Sequence, residues 1–259
     1  MARRTSRLTQ HERHAQVLAL LRREGTVRVA TLAQRFDVTT ETARRDLDHL
    51  AGSGALLRTY GGGASRSLTE EPGIGVRSQS RAAERTRVGE AAAARVDDGD
   101  ALMIDSGATT SVFANALAAR DLRLTVITNC LPVARVLATG SRGRVILCPG
   151  DYVSREHGVY GAEATDFIRR FKANKAFIGA GGLTAEGATD ADSLSCAIKR
   201  AMMERCERST LLVDSSKFGA LQFERVCTLD AIDELVSDRA PPKRLATALA
   251  RAGVRVILP

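Results

Sequence analysis

Residues 31–50 run TLAQRFDVTTETARRDLDHL, a pattern typical of two short helices joined by a tight turn. Asp37 falls between the two helices, where a short polar side chain tolerates a left-handed backbone conformation. Thr39 or Thr40 is placed to cap the second helix. Apolar residues recur at helical spacing in that helix and predict its buried face: Ala43, Leu47 and Leu50. The stretch therefore predicts a helix-turn-helix.

The second of these helices leaves polar and basic side chains on its outer side. A recognition helix presents such side chains to base edges in the major groove, where arginine donates two hydrogen bonds to guanine. Residues 54–60 predict a short hairpin, or wing, from which Arg58 would reach a phosphate or the minor groove. We therefore predict DNA-binding side chains at Thr39, Thr40, Thr42, Arg44, Arg45, Arg58 and Tyr60.

The positive charge of the chain is concentrated at this end. The 259 residues carry a formal net charge of +8. Residues 1–66 hold 12 arginines and no lysine against 6 acidic residues, which is +6 of that total. Such asymmetry favours a polyanionic partner, namely double-stranded DNA. The alternative is a solvated basic end that serves solubility.

Composition excludes several other classes of protein. The chain is 44% hydrophobic and 26% charged, which is ordinary for a soluble globular protein. No apolar run approaches the roughly 18 residues of a membrane span, and the polar N-terminus is unlike a signal peptide, so we expect a cytoplasmic protein without membrane contact. Five cysteines without a CxxC pair indicate buried thiols. We expect no metal site and no cofactor, and we expect His11 and His14 to be solvated.

The rest of the chain alternates short apolar runs with helical patterns, which is typical of a mostly parallel sheet covered by helices on both faces. We predict a winged helix-turn-helix domain at 1–66, a linker at 67–75, and an α/β effector-sensing and oligomerisation domain at 76–259. The predicted strands are 101–104, 124–128, 145–148, 176–180, 210–213, 234–237 and 254–258. The predicted helices are 82–96, 111–120, 131–139, 162–171, 192–205 and 242–252.

Ligands of such sheets bind beyond the carboxyl ends of the strands. Small residues, hydroxyls and helix N-termini at those ends favour an anion the size of a phosphate, and lysine adds a point charge. Carboxylates at the same strand ends would accept hydrogen bonds from the hydroxyls of a sugar. The predicted effector-binding residues are Asp105, Ser106, Gly107, Ala108, Thr109, Thr110, Thr128, Asn129, Gly150, Gly181, Gly182, Asp190 and Lys217. The alternative is that these are ordinary turn residues and helix caps, with Lys217 a surface lysine.

Residues 31–64 resemble the DNA-binding part of the DeoR family of bacterial transcriptional regulators. That family typically reads LAxxFxVSxxTIRRDL, then a Leu, a Gly, an Arg and His-Gly-Gly-Ala. In this chain Thr39 stands for the Ser, Ala43 for the Ile and Tyr60 for the His.

Residues 72–238 resemble the effector domain of the same family. The matching pieces are Ile104 to Thr110, Ile127 to Asn129, Pro149 to Tyr152 and Asp214 to Phe218. Departures from the family pattern are Ala108 for a Thr, Pro149 for a Gly, and Arg87 where a Lys is usual. The resemblance implies a fold similar to ribose-5-phosphate isomerase and a phosphorylated sugar, or a related metabolite, as effector.

Together these features predict a transcriptional repressor of sugar or carbohydrate metabolism genes, controlled by a phosphorylated sugar. It would bind operator DNA as a homodimer or homotetramer. The alternative from another class is a sugar-phosphate isomerase-like enzyme with an accessory DNA-binding module, whose base and cation would come from Asp190, Asp192 and Lys217. A third hypothesis is a nucleoid-type DNA binder without a small ligand.

Overall fold

The computed structural model describes residues 8–24, 26–59, 61–64 and 71–259. The chain divides into two compact units, Met1–Ser67 and Leu68–Pro259. Tyr60 and residues 67–70 of the predicted linker lie outside the described residues. No helix within the described ranges is both long and apolar enough to cross a membrane.

The described residues of the first unit form three helices and a small antiparallel sheet. Its elements are α1 (Gln10–Glu24), β1 (Thr26–Arg28), α2 (Val29–Phe36), α3 (Thr40–Gly52), β2 (Leu57–Thr59) and β3 (Gly62–Ala64). The sheet has the order β1-β3-β2, so the predicted wing pairs with a strand that precedes the helix-turn-helix. Gly62 permits this pairing, because a Cβ at Gly62 would fall on the carbonyl oxygen of Val27.

The predicted turn between α2 and α3 is confirmed. Asp37 adopts a left-handed conformation with φ 51°, and the Val38 amide donates to the carbonyl of Ala33 at 3.0 Å. The unit is held together by one apolar cluster contributed by all three helices and the wing. Leu47 and Leu32 lie at its centre and are almost wholly buried.

The second unit is built on one large sheet and six main helices. Its elements in chain order are α4 (Ile74–Gln79), α5 (Ala82–Ala93), β4 (Ala101–Ile104), α6 (Ala108–Ala118), β5 (Arg123–Thr128), α7 (Leu131–Gly140), β6 (Arg142–Leu147), β7 (Asp151–Val153), β8 (Gly158–Tyr160), α8 (Ala162–Arg169), β9 (Ala173–Gly179), β10 (Gly182–Thr184), β11 (Gly187–Asp190), α9 (Ser193–Glu204), β12 (Cys206–Leu212), β13 (Glu224–Cys227), β14 (Glu234–Val236), α10 (Lys243–Arg251) and β15 (Arg255–Ile257).

The large sheet has seven strands in the order β15-β14-β12-β9-β4-β5-β6, and every neighbouring pair is parallel. Side chains alternate between its faces, so that Leu102 and Ile104 pack on one face and Met103 on the other. Helices α5, α6 and α7 cover the first face, and α8, α9 and α10 cover the second. All seven predicted strands belong to this sheet, which confirms the predicted fold class.

The structure also contains elements that the sequence did not predict. Two small antiparallel sheets, β7-β8 and β10-β11-β13, are made of strands of only three or four residues, too short to show periodicity. The predicted linker differs as well, since Glu71 and Ile74 are buried in the second unit and α4 begins at Ile74. Helix α6 begins at Ala108, one turn before the predicted start at Ser111.

Candidate DNA-binding helix and anion site

The start of α3 is fixed by a threonine cap. Thr39 has an extended backbone, and its hydroxyl accepts a hydrogen bond from the Thr42 amide at 3.1 Å. The two threonine hydroxyls also lie 2.9 Å apart. Because this cap satisfies one of the free amides of the first turn, it holds the N-terminal end of α3 in a defined conformation. Thr40 is the first residue of the helix and is exposed.

Arg44 and Arg45 extend from the outer side of α3. Their side chains are 60% and 79% exposed, and each lies near Glu41, at 3.9 Å and 3.1 Å respectively. Exposed ion pairs of this spacing on a helix are worth little, so Glu41 does not prevent either arginine from binding another anion. The geometry therefore leaves both guanidinium groups available to DNA.

Arg58 plays a structural part within the first unit. Its Nε donates to Oδ1 of Asp48 on α3 at 2.7 Å, and its NH1 donates to the carbonyl of Gly62 on β3. This side chain thus ties the wing to the recognition helix. From the sequence, only a DNA contact was predicted for Arg58. The pairing with Asp48 was not predicted, because Asp48 is ten residues away and is brought close only by the fold.

Asp46 is a buried acidic residue on the inner face of α3. Its carboxylate accepts two hydrogen bonds from Arg13, at 2.7 Å and 3.1 Å, and one from His14 at 3.0 Å. Burial alone would raise the pKa of Asp46, but these hydrogen bonds outweigh it and hold the pKa below its ordinary value. The prediction that His14 is solvated is wrong, because its ring is largely buried against Asp46.

Asp46 could have been found from its spacing. It lies three residues after Ala43 and so falls on the apolar face of α3, where an acidic side chain requires a partner. Arg13 and His14 supply that partner from α1.

The second unit contains a cavity of about 30 Å³ at the start of α6, here called the smaller cavity. The structure brings these predicted effector residues together in its wall: Ser106, Gly107, Ala108, Thr109, Asp190 and Lys217. Three further cations that the sequence did not predict also line it: Arg77, Arg85 and Lys199. Four cationic side chains among the described residues therefore face one small space.

A second cavity of about 170 Å³, the larger cavity, adjoins the smaller one. The two share four lining residues: Arg77, Ser106, Asp190 and Lys199. The larger cavity is also lined by acidic and hydroxyl side chains, namely Glu71, Glu156, Tyr160, Asp192 and Ser195. The two cavities together can hold an anionic group at one end and hydroxyl groups at the other.

The end of β4 positions the loop of the smaller cavity. Gly107 is extended, and α6 begins at Ala108, so that the first amides of the helix face the loop without carbonyl partners of their own helix. Helix N-termini of this kind favour anions. The Thr110 hydroxyl is turned away, since it donates to the carbonyl of Asp105 at 2.9 Å and is fully buried. Thr109 is the partly exposed hydroxyl of the loop.

Lys199 lies beneath both cavities and is almost completely buried. Its ammonium is 2.9 Å from Oδ2 of Asp105, 3.1 Å from Oδ2 of Asp190 and 2.6 Å from the Ser195 hydroxyl. Burial by itself would lower the pKa of Lys199, but the two carboxylates outweigh it and raise that pKa well above its ordinary value. Lysine is scarce in this chain, with five in all, and that scarcity was the available signal for Lys199.

Lys217 ends a single 3-10 turn, Ser215–Lys217, which Asp214 caps by accepting from the Ser216 amide at 3.0 Å. The Lys217 ammonium donates to Oε1 of Glu71 at 2.8 Å, and both side chains are largely buried. Lys217 is therefore not a surface lysine.

Two buried guanidinium groups in the wall of the smaller cavity retain an unused donor. The Nε atoms of Arg77 and Arg85 have no acceptor among the described residues. Arg85 otherwise donates to the carbonyls of Arg77 and Ser80 and lies 3.4 Å from Asp214. Burial lowers the pKa of Arg85. Arg87, the departure from the family pattern, instead lies 3.7 Å from Asp238.

Seven predicted residues do not line either cavity: Asp105, Thr110, Thr128, Asn129, Gly150, Gly181 and Gly182. Thr128 donates to the carbonyl of Ile104 at 2.7 Å, and Asn129 donates to that of Val159 at 3.1 Å. Gly182 pairs in β10, where a Cβ would fall on the Ala220 carbonyl oxygen. Asp105 also lies below the surface of the site, as the partner of Lys199 and of the Gly179 amide.

Within the described residues there is no group of three or more His, Cys, Asp or Glu side chains that could hold a metal ion. All five cysteines are free, and the three at positions 130, 148 and 196 are buried. Burial raises the pKa of the Cys148 thiol to about 12, so this group stays protonated near neutral pH. The chemistry of the two cavities is therefore that of ammonium, guanidinium, carboxylate and hydroxyl groups.

Two family models match the chain. The DeoR-like helix-turn-helix domain matches residues 13–69, and the DeoR C terminal sensor domain matches residues 80–239. The second match alone covers more than half of the 259 residues.

Curated relatives match over almost the whole chain. The chain is 31% identical over 236 residues to the glycerol-3-phosphate regulon repressor of Escherichia coli (strain K12), covering 91% of this chain and 93% of that protein. It is 29% identical over 250 residues to the HTH-type transcriptional repressor GlcR of Bacillus subtilis (strain 168), covering 96% of each. It is also 30% identical to the L-fucose operon activator of Haemophilus influenzae, covering 88% of this chain and 92% of that protein.

Solved structures show weaker likeness. Ribose 5-phosphate isomerase A from Methanocaldococcus jannaschii aligns with a TM-score of 0.38 and 15% identity, over 52% of this chain and 53% of that one. The tetrameric eIF2B-beta2-delta2 complex from C. thermophilum aligns with a TM-score of 0.49 and 17% identity, over 96% and 91%.

The family models and the curated relatives agree with each other and with the two units of the structure. The curated relatives named above are regulators of transcription, so the isomerase-like enzyme is not supported. The chain therefore belongs to the DeoR family of DNA-binding transcriptional regulators.

Proposed function

We propose that this regulator is a repressor of sugar or carbohydrate metabolism genes, and that a phosphorylated sugar controls its affinity for operator DNA. One observation carries the proposal: the 106–109 loop at the start of α6 and Lys217 line the same cavity. The names of the relatives support it, since they include repressors of a glycerol-3-phosphate regulon and an activator of an L-fucose operon.

In this proposal the phosphate binds in the smaller cavity. The helix N-terminus and the Thr109 hydroxyl supply hydrogen bonds, and Lys217, Arg77 and Arg85 supply positive charge. The hydroxyl end of the sugar lies in the larger cavity, where Asp190 and the neighbouring carboxylates accept its hydrogen bonds.

The first unit binds the operator through α3. Thr39, Thr40, Thr42, Arg44 and Arg45 face the major groove, and Arg58 approaches the DNA backbone from the wing. Tyr60 lies outside the described residues and is proposed as a further DNA contact. Residues 1–66 form this DNA-binding domain, and we place the start of the sensor domain at Glu71, because residues 71–75 pack with it. The regulator works in the cytoplasm as a homodimer or homotetramer, since two recognition helices are needed for two half-sites.

The test begins with selection of a binding sequence from random DNA duplexes by the purified full chain. A thermal-shift screen with phosphorylated sugars then finds the ligand, and fluorescence anisotropy measures operator affinity with and without it. We expect one or a few phosphorylated sugars to stabilise the chain and to change operator affinity by about tenfold or more. Failure to select any sequence, or stabilisation that leaves operator affinity unchanged, would contradict the proposal.

A further inference from the structure

Lys217, the lysine assigned to the phosphate, is already paired with a carboxylate of its own unit. The Lys217 ammonium lies 2.8 Å from Oε1 of Glu71, and Oε2 of the same carboxylate accepts from NH1 of Arg77 at 2.7 Å. Glu71 thus bridges two of the cations that line the smaller cavity. These are two of the groups that a bound phosphate would use.

The carboxylate of Glu71 occupies an enclosed position. Its side chain is only 6% exposed, and a Cβ at Gly181 would come within 3.3 Å of Oε1. The missing side chain of Gly181 therefore leaves room for this carboxylate. A charge buried to this extent is stable only when it is paired, which Lys217 and Arg77 provide.

The smaller cavity, of about 30 Å³, adjoins this carboxylate through its lining residues Lys217 and Arg77. Glu71 lines the larger cavity and pairs with Lys217 in the wall of the smaller one, so withdrawal of its side chain would free a cation and join the two spaces.

Two other carboxylates near these cations are fixed by the backbone. Asp105 is buried at the end of β4 and accepts from the Gly179 amide at 3.2 Å. Asp214 is equally buried and caps the 3-10 turn through the Ser216 amide. Glu71 lies before α4 and outside any helix or strand, and Arg155 donates to its backbone carbonyl. Its side chain has one more rotatable bond than that of an aspartate, so its carboxylate can change position by side-chain rotation while the backbone stays in place.

We propose that Glu71 is an intramolecular competitor of the effector: its carboxylate and the effector phosphate bind Lys217 and Arg77 in turn, and the phosphate binds by displacing it. This inference rests on the proposed function of the same cavity. A phosphate carries about 1.5 to 2 negative charges near neutral pH, whereas a carboxylate carries one. The competition therefore selects dianionic phosphate esters over monoanionic sugar acids.

Displacement also gives the effector a mechanical consequence. Glu71 begins the described part of the second unit, directly after the residues that connect it in sequence to the helix-turn-helix unit. Residues 71–79 are held by the bond from the Ile74 amide to the Arg155 carbonyl, by the bond from Arg155 to the Glu71 carbonyl, and by the pairing of Arg77 with Glu71 and Glu156; release of the Glu71 carboxylate removes one of these contacts. Effector binding is thereby linked to the segment that leads to the DNA-binding unit.

The test is calorimetric titration of the full chain with inorganic phosphate, comparing wild type, Glu71→Gln and the control Glu224→Gln. Glu224 pairs with Arg200 at 2.6 Å and lines neither cavity, so the control removes the same charge without freeing a cation of the site. We expect Glu71→Gln to bind phosphate about tenfold more tightly and Glu224→Gln to change affinity by less than about threefold. An equal gain in both variants, or no gain in Glu71→Gln, would overturn the inference.

A Lys217→Ala variant separates this inference from the proposed function. Binding of phosphate by wild type and its loss in Lys217→Ala would support the phosphate site. If Glu71→Gln then bound phosphate no more tightly than wild type, displacement by Glu71 alone would be contradicted. If neither wild type nor Glu71→Gln binds phosphate, the phosphate site fails together with the inference.

A second variant, Glu71→Asp, keeps the negative charge but shortens the side chain by one methylene, so its carboxylate reaches Lys217 less well. Displacement predicts that Glu71→Asp binds inorganic phosphate about threefold or more tightly than wild type, because the internal competitor is weaker. Affinity equal to or below that of wild type would overturn the inference.

Discussion

The ammonium of Lys199 lies 2.9 Å from the carboxylate of Asp105, and both side chains are almost completely removed from solvent. Asp105 directly follows β4 and Lys199 comes from the middle of α9, so the pair joins the end of a sheet strand to a covering helix beneath the two cavities. The floor of the two cavities is therefore a buried charge pair.

Removal of Lys199 should destabilise the second unit strongly. Lys199→Met leaves Asp105 buried without its ammonium partner, which costs about 3–5 kcal/mol of the free energy of unfolding. Urea unfolding followed by circular dichroism measures the change. The control is Arg123→Ala, which breaks an exposed pair with Asp98 and should cost no more than about 1 kcal/mol. Equal stability losses in the two variants would contradict a structural role for the buried pair.

Arg45 should contribute to sequence recognition without contributing to stability. Its side chain is exposed on α3, so Arg45→Ala should weaken operator binding by about 1–3 kcal/mol and leave the Tm unchanged. The control is Arg35→Ala on α2, which removes the same charge from an exposed position away from α3 and should weaken operator and unrelated DNA alike. Anisotropy titrations with both duplexes measure the ratio. An unchanged ratio of operator affinity to affinity for unrelated DNA in Arg45→Ala would show that Arg45 does not take part in sequence recognition.

The first unit should lose stability in acid because of Asp46. The pKa of Asp46 is lowered in the folded chain by hydrogen bonds from Arg13 and His14, which outweigh its burial. The stabilisation that Asp46 gives the folded chain is therefore fully present above the pKa of about 4 that it has in the unfolded chain. This stabilisation is lost as the pH falls through the lower pKa that Asp46 has in the folded chain. Asp46→Asn should unfold at a lower temperature than wild type at pH 7, and the difference should shrink toward pH 3. A constant difference by calorimetry across that range would contradict this account.

Gly182 should matter for folding and not for the effector. A Cβ there would fall on the Ala220 carbonyl oxygen, so Gly182→Ala should cost about 1–3 kcal/mol of stability. Gly75→Ala is the matched control, because a Cβ at Gly75 has no heavy atom within 4 Å. Thermal unfolding gives the stability of both variants, and calorimetry gives their effector affinity. A large loss of effector affinity in a folded Gly182→Ala variant would contradict this prediction and would indicate that Gly182 contributes to effector binding.

The fold was predictable because its signals are local. The seven strands of the large sheet are apolar runs separated by helical patterns, and the 37–39 turn is marked by a left-handed Asp37 and a threonine cap. The small sheets were not predictable, because their strands of three or four residues are too short to show periodicity, and β13 pairs with β11 from a distant part of the sequence.

The site was predictable only in part, for a related reason. Strand ends meet at one edge of a parallel sheet, so the 106–109 loop and Lys217 could be placed together from the sequence. The same rule also predicted Thr128 and Asn129 as binding residues, but their side chains donate hydrogen bonds to the backbone carbonyls of Ile104 and Val159. The rule did not predict Glu71 or Lys199, because neither residue follows a strand of the sheet. Glu71 precedes α4, and Lys199 lies within α9.

The central claim is that the smaller cavity recognises the phosphate of a sugar. Calorimetric titration of the sugar chosen by thermal shift, in its phosphorylated and plain forms, tests it against wild type, Lys217→Ala and Thr109→Val. One charged hydrogen bond contributes roughly 1.5–3 kcal/mol, so each variant should bind the phosphorylated form about tenfold or more weakly. The plain sugar should bind wild type poorly and be little affected by either change. Equal affinity of wild type for the two forms, or unchanged affinity for the phosphorylated form in both variants, would contradict the phosphate site.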